Sequence, residues 1–145
     1  MGYTHYFEQM KPAEPAAWQA ICDDFRKMMA TALLSRPLPI QREDENGGQP
    51  LVDSAYIIFN GIGNNGHETM VLQREGFDFQ CCKTARKPYD RAVTALLILA
   101  DFHSPNTWRI TSDGEPDDWQ EGLELARTVR PECNLPSEIL PFLPI

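Results

Sequence analysis

Three cations, Lys83, Arg86 and Lys87, stand shortly before a run that is apolar at almost every position from Ala92 to Ala100. Pro88 suits the first turn of a helix over that run, so the cations and the unpaired amides of a helix start would meet at one place. Those amides and the helix dipole favour an anion, and a guanidinium grips phosphate or carboxylate as a fork. The chemistry indicated is capture of a small anion at Lys83, Arg86 and Lys87, on a turn that Asp78 and Asp90 would partly neutralise. Tyr3, His5 and Tyr6 could lie beside it, the rings stacking on a base or another planar group. Filling the core is the alternative use of those rings.

The remaining spacings exclude more than they suggest. His5, His67 and His103 belong to different elements and none is paired as in His-Glu-x-x-His, so neither a metal nor another cofactor is expected. His67 or His5 could serve as an acid or base beside a bound anion. No residue order indicates a Ser-His-Asp or Cys-His nucleophile, and the balance leans away from an enzyme. Gly61, Gly63 and Gly66 follow a strand and lead into another, which marks a hairpin turn rather than a phosphate loop. Asp113, Glu115, Asp117 and Asp118 lack the spacing of a calcium loop and fit helix capping. The four cysteines form no Cys-x-x-Cys pair and read as small apolar fillers with reduced thiols.

These residues sit in a chain of 145 residues, the size of a single domain over 1–145. A net charge of -8 opposes binding to duplex nucleic acid, whose affinity comes largely from cations displacing counterions. No cleavable signal or long apolar run is present, so a cytosolic chain without a membrane segment is expected.

The elements that would position the chemistry follow from periodicity. Strands are expected over Tyr3 to Glu8 and Thr107 to Thr111, and a helix over Pro15 to Leu34, where Trp18, Ile21, Cys22, Phe25, Met28 and Met29 form one stripe. Ser35 to Asp53 is rich in Pro, Gly and acidic residues and reads as a long exposed loop. Asp53 to Ile62, His67 to Gln73 and Phe77 to Cys82 read as a three-stranded meander, with Phe77, Phe79 and Cys81 on one face and Asp78, Gln80 and Cys82 on a wet one. Pro116 opens a third helix. The expected fold class is α+β: a mostly antiparallel sheet, the meander plus one or two short strands, with three helices on one face. Residues 131–145 form a Pro-rich apolar arm that would pack on its own domain or cross to a second copy in a homodimer.

Four strings, Met-Gly-Tyr-Thr-His-Tyr, Phe-Asn-Gly-Ile-Gly with His-Glu-Thr after it, Cys-Lys-Thr-Ala-Arg-Lys-Pro-Tyr-Asp and Ser-Asp-Gly-Glu-Pro-Asp-Asp-Trp, span most of the chain. Together they resemble a family of short, uncharacterised phage and prophage proteins, in which Trp often stands where this chain has Phe7. The resemblance implies expression in the cytoplasm of an infected bacterium and carries no catalytic residue with it. Small phage proteins of this kind often counter host defence by binding. The expected function is sequestration of a small phosphorylated, nucleotide-like ligand, a host defence signal among the candidates. The alternatives are an acidic protein that binds a host defence or replication protein, and a small phosphoester-cleaving enzyme.

Overall fold

Alternation of Thr4, Tyr6 and Glu8 with His5, Phe7 and Gln9 makes β1 (Thr4–Gln9) a strand with one buried face and one half-exposed face. The computed structural model describes residues 3–32, 36–42, 48–76 and 79–139. In chain order, β1 is followed by α1 (Pro15–Ala32), β2 (Ile40–Gln41), β3 (Leu51–Val52), β4 (Tyr56–Gly61) and β5 (Met70–Gln73). Then come β6 (Phe79–Lys83), α2 (Asp90–His103), β7 (Trp108–Ser112) and α3 (Gln120–Arg127). The fold is α+β, with three helices and antiparallel sheets, as the periodicities require.

The strands divide differently from the expected meander. β4 and β5 pair as a hairpin, with Ile57 opposite Leu72 and Phe59 opposite Met70, and the glycine segment between them makes a turn of 3-10 helix. β6 leaves them and pairs with β1, Tyr6 opposite Cys81, so that β1 is the middle strand of β6-β1-β7. This also inverts the expected faces of β6. Cys82 is fully buried beside Tyr89, whereas Phe79 is 63% exposed and leans on Tyr6. Phe77 and Asp78 lie outside the described residues. The supposed long loop contributes two strands of its own, since β2 and β3 both pair with β4.

α2 is the centre of the molecule. Every residue from Ala92 to Ala100 is buried, and each of Leu96, Leu97, Ile98 and Leu99 contributes roughly 1.5–3 kcal/mol by leaving water. α1 covers one side of it and stacks Phe25 on Phe59 of β4. α3 covers another, so closely that a Cβ on Gly122 would fall 1.9 Å from Thr94 Oγ1. Beyond α3, Cys133, Leu135 and Ile139 are buried on the same domain, and 140–145 lie outside the described residues. Among the described residues no helix is long and apolar enough to cross a membrane.

Candidate functional site

The segment joining β6 to α2 makes a tight turn in which Lys87 N–H donates to the Thr84 carbonyl at 3.0 Å. The Thr84 and Ala85 amides both donate to the Tyr3 carbonyl, which ties the turn to the start of β1. Ala85 and Arg86 have φ of 52° and 59°, the left-handed region that costs a residue with a Cβ roughly 1–2 kcal/mol. The strained turn places the Arg86 guanidinium 4.0 Å above the Tyr3 ring and 2.9 Å from Asp118 Oδ1. Asp118 closes a capping box with Glu115 at the turn that precedes α3, so helix capping accounts for these two acids of the run, while Asp113 accepts from the Thr4 amide and the Tyr6 hydroxyl. The Glu115 amide and the Arg86 guanidinium hold the Asp118 carboxyl below the usual range.

Beneath Arg86, burial raises the Tyr3 phenol above its ordinary pKa, and the ring meets His5 edge-on. His5 is fully buried and bonded at both nitrogens. Its Nε2 lies 2.6 Å from Asp90 Oδ1 and its Nδ1 2.8 Å from Ser112 Oγ. One arrangement of protons satisfies the whole chain of groups: Nε2–H and Thr84 O–H donate to Asp90, Ser112 O–H donates to Nδ1, and Gly114 N–H donates to Ser112 Oγ. Asp90 is the first residue of α2, so the protein itself supplies the negative charge that a helix start favours. Ser112, His5 and Asp90 thus stand in a row like the members of a triad, but the imidazole is fully buried and Ser112 is not among the residues that line the neighbouring cavity.

Above this network opens a cavity of about 380 Å³. Tyr3, Pro88 and Gly122 line it together with Arg36, Arg86, Lys87 and Arg91, and with Asp90, Asp117, Asp118 and Glu121. Basic and acidic side chains balance in number, and three of each are already engaged within the protein. Arg86 is paired with Asp118 and Arg36 with Glu121, while Asp90 is held by His5 and Thr84. Arg91 donates to the backbone carbonyls of Arg36 and Pro37. A smaller hollow of about 150 Å³ shares Arg36, Arg91 and Glu121 with the first.

Of the residues expected to bind an anion, Arg86, Lys87 and Tyr3 come together in this cavity, with His5 directly below Tyr3. Lys83 does not line it. Its amide is bonded to the Glu68 carboxylate, and as the last residue of β6 it faces Thr4 in the neighbouring strand. Tyr6 is on the opposite face of β1 and bonds Asp113, since strand alternation sends residues 3 and 6 to different sides. The stacking rings therefore do not assemble: Tyr3 is covered by Arg86, and Tyr6 points elsewhere. His67 is exposed beside Asn60 at the end of the β4–β5 connection and does not line the cavity. His103 lies at the far end of α2, and no cluster able to hold a metal occurs among the described residues.

Arg36, Arg91, Asp118 and Glu121 were not legible as site residues. Arg36 belonged to a presumed loop, Arg91 stood next to the apolar run that begins at Ala92, Asp118 belonged to a capping signal about 30 residues further along the chain, and Glu121 lay within the expected third helix. The cysteines are unpaired, and burial pushes Cys22 up to about 11 and Cys82 up to about 12, which keeps both as unreactive thiols. Comparison of the chain with family models, curated proteins and solved structures returned no match.

Proposed function

We propose that the cavity binds a small phosphorylated, nucleotide-like ligand and that the protein acts by withholding that ligand, with no chemistry performed on it. The observation that carries this reading is the convergence of Arg36, Arg86, Lys87 and Arg91 on one hollow in a chain whose net charge is -8, where three of the four acids beside them, Asp90, Asp118 and Glu121, are already bonded within the protein. Its volume, about 380 Å³, lies within the range of small-molecule sites. Stacking on Tyr3 holds the Arg86 guanidinium in place and leaves N–H groups beyond those used by Asp118 for a phosphate. Binding is favoured over catalysis by the complete burial of His5 and by the positions of Ser112 and His67 away from the cavity lining. In the phage setting that the sequence resemblance implies, the ligand would be a host defence signal and the host cytoplasm the place of capture.

The test is thermal melting of the protein with a panel of linear and cyclic nucleotides, followed by chromatography of the recovered ligand. A binder present at a hundred times its dissociation constant adds about 2.7 kcal/mol to stability. The expected result is a raised melting temperature, an unchanged ligand, and loss of the shift in Lys87→Ala and Arg91→Ala but not in Lys83→Ala. Recovery of a cleaved product would make the protein a phosphoesterase instead. Absence of any shift would leave a protein partner, bound through the acidic surface, as the better reading.

A further inference from the structure

The two adjoining hollows differ in what they offer a ligand, and the difference bears on which ligand the proposed site takes. They meet at the Arg36–Glu121 ion pair, 3.2 Å long between side chains that are 66% and 62% exposed. An ion pair so open to water is worth little, so parting it to join the hollows into one groove costs little. At one end of that groove stand Arg86 and Lys87. At the other, Glu124 and Thr128 lie on the same face of α3 as Glu121, at spacings of three and seven residues, with Ala32 and Leu125 as apolar floor. Thr128 O–H already donates to the Leu125 carbonyl at 2.6 Å, so toward a ligand this hydroxyl accepts, and the Glu124 carboxylate also only accepts. Arg91, at the waist, is turned to the carbonyls of Arg36 and Pro37. Seven residues of helical chain from Glu121 to Thr128 give the groove roughly 10 Å beyond the waist, enough for a sugar and a ring.

We infer that the ligand is bipolar: a phosphate held at the Arg86 and Lys87 end, and a nucleobase bearing an exocyclic amine, as in adenine or cytosine, at the Glu124 end. An amine donates to Glu124 and Thr128. A ring carbonyl in the same place would bring acceptor against acceptor, with no proton between them. The inference rests on the reading of the cavity as a phosphate site and extends it to the identity of the base.

Calorimetric titration of the full chain with two matched pairs tests it: adenosine against inosine monophosphate, and cytidine against uridine monophosphate. Each pair exchanges an amine for a carbonyl, turns the adjoining ring nitrogen from an acceptor into an N–H donor, and leaves the phosphate unchanged. The amine-bearing member of each pair is expected to bind about tenfold more tightly, the worth of one hydrogen bond to a charged group. In Glu124→Gln, an exposed helix position where the change leaves folding intact, that ratio should fall to about twofold or less. Lys87→Ala should weaken all four ligands alike. Equal binding within both pairs, or a ratio unchanged by Glu124→Gln, would overturn the inference and leave the phosphate site standing. Failure of all four to bind, with inorganic phosphate and pyrophosphate failing too, would remove the phosphate site and this inference with it.

Discussion

At the start of α2, His5 meets Asp90 at 2.6 Å; at its end, His103 meets Asp24 at the same distance. Each pair suits the helix dipole, with the carboxylate at the positive end of α2 and the imidazole at the negative end. The surroundings differ. Asp24 is 3% exposed, and Arg130 grips both of its oxygens at 3.0 Å. That carboxylate bolts α1 to the end of α2 and to the segment after α3, and it has no room for anything else. Asp90 is 16% exposed, and its second partner is a hydroxyl, that of Thr84. The guanidinium nearby, Arg86, turns instead to Asp118 and Tyr3, and the space between is the cavity. The same pair of residue types thus closes one end of the helix and floors an open site at the other. What decides between the two is where the nearest arginine goes.

Removing the closed carboxylate should have the largest effect. Asp24→Ala leaves Arg130 and His103 facing an empty, buried position and is expected to lower stability by about 3–5 kcal/mol in urea denaturation. Ligand binding at the cavity should be unchanged at temperatures where the variant remains folded. Asp90→Ala should cost less, about 1–3 kcal/mol, because it strands only the His5 and Thr84 donors, yet it should disturb the cavity. A loss equal to that of Asp24→Ala would break the contrast between the two ends.

Acid titration sharpens the contrast further. Burial pushes the Asp24 carboxyl up, but the bonds from Arg130 and His103 outweigh it and leave its pKa below the ordinary value. A carboxyl depressed in the folded state stabilises the protein at pH values above its unfolded pKa of about 3.9, and that contribution is lost as pH falls through the folded value. Stability measured by urea denaturation should therefore fall below about pH 4, by at most 1.36 kcal/mol per pH unit for this group. The same curve in Asp24→Asn should be flatter. The smallest effect is a gain: Ala85→Gly relieves the φ of 52° in the turn and should add about 1 kcal/mol to stability. No change would mean that the turn is not strained as its backbone implies.

Much of the frame was legible locally. The stripe from Trp18 to Met29, the alternation from Tyr3 to Gln9 and the unbroken apolar run from Ala92 to Ala100 each declare an element within one short window, because helix and strand periodicity are properties of neighbouring residues. Arg86 and Lys87 were legible for the same reason: they immediately precede a helix whose start could be foreseen. The partner of β6 was not. An antiparallel edge accepts any strand with the right spacing, and the burial of Cys82 against Tyr89 that accompanies the pairing of β6 with β1 is a contact that the strand's own spacing does not show.

The sequence by itself therefore determined the class of fold, the central helix and two cations of the cavity, since these depend on patterns a few residues long. Tertiary structure alone decided that Lys83 and Tyr6 would stay outside the cavity, and that Asp118 and Glu121 would balance the cations within it. It also decided that His5 would be sealed beneath. The reason is range: charge and hydrogen-bonding partners 30 to more than 100 residues apart in the chain are chosen by which surfaces pack together, and packing is settled by the whole core at once.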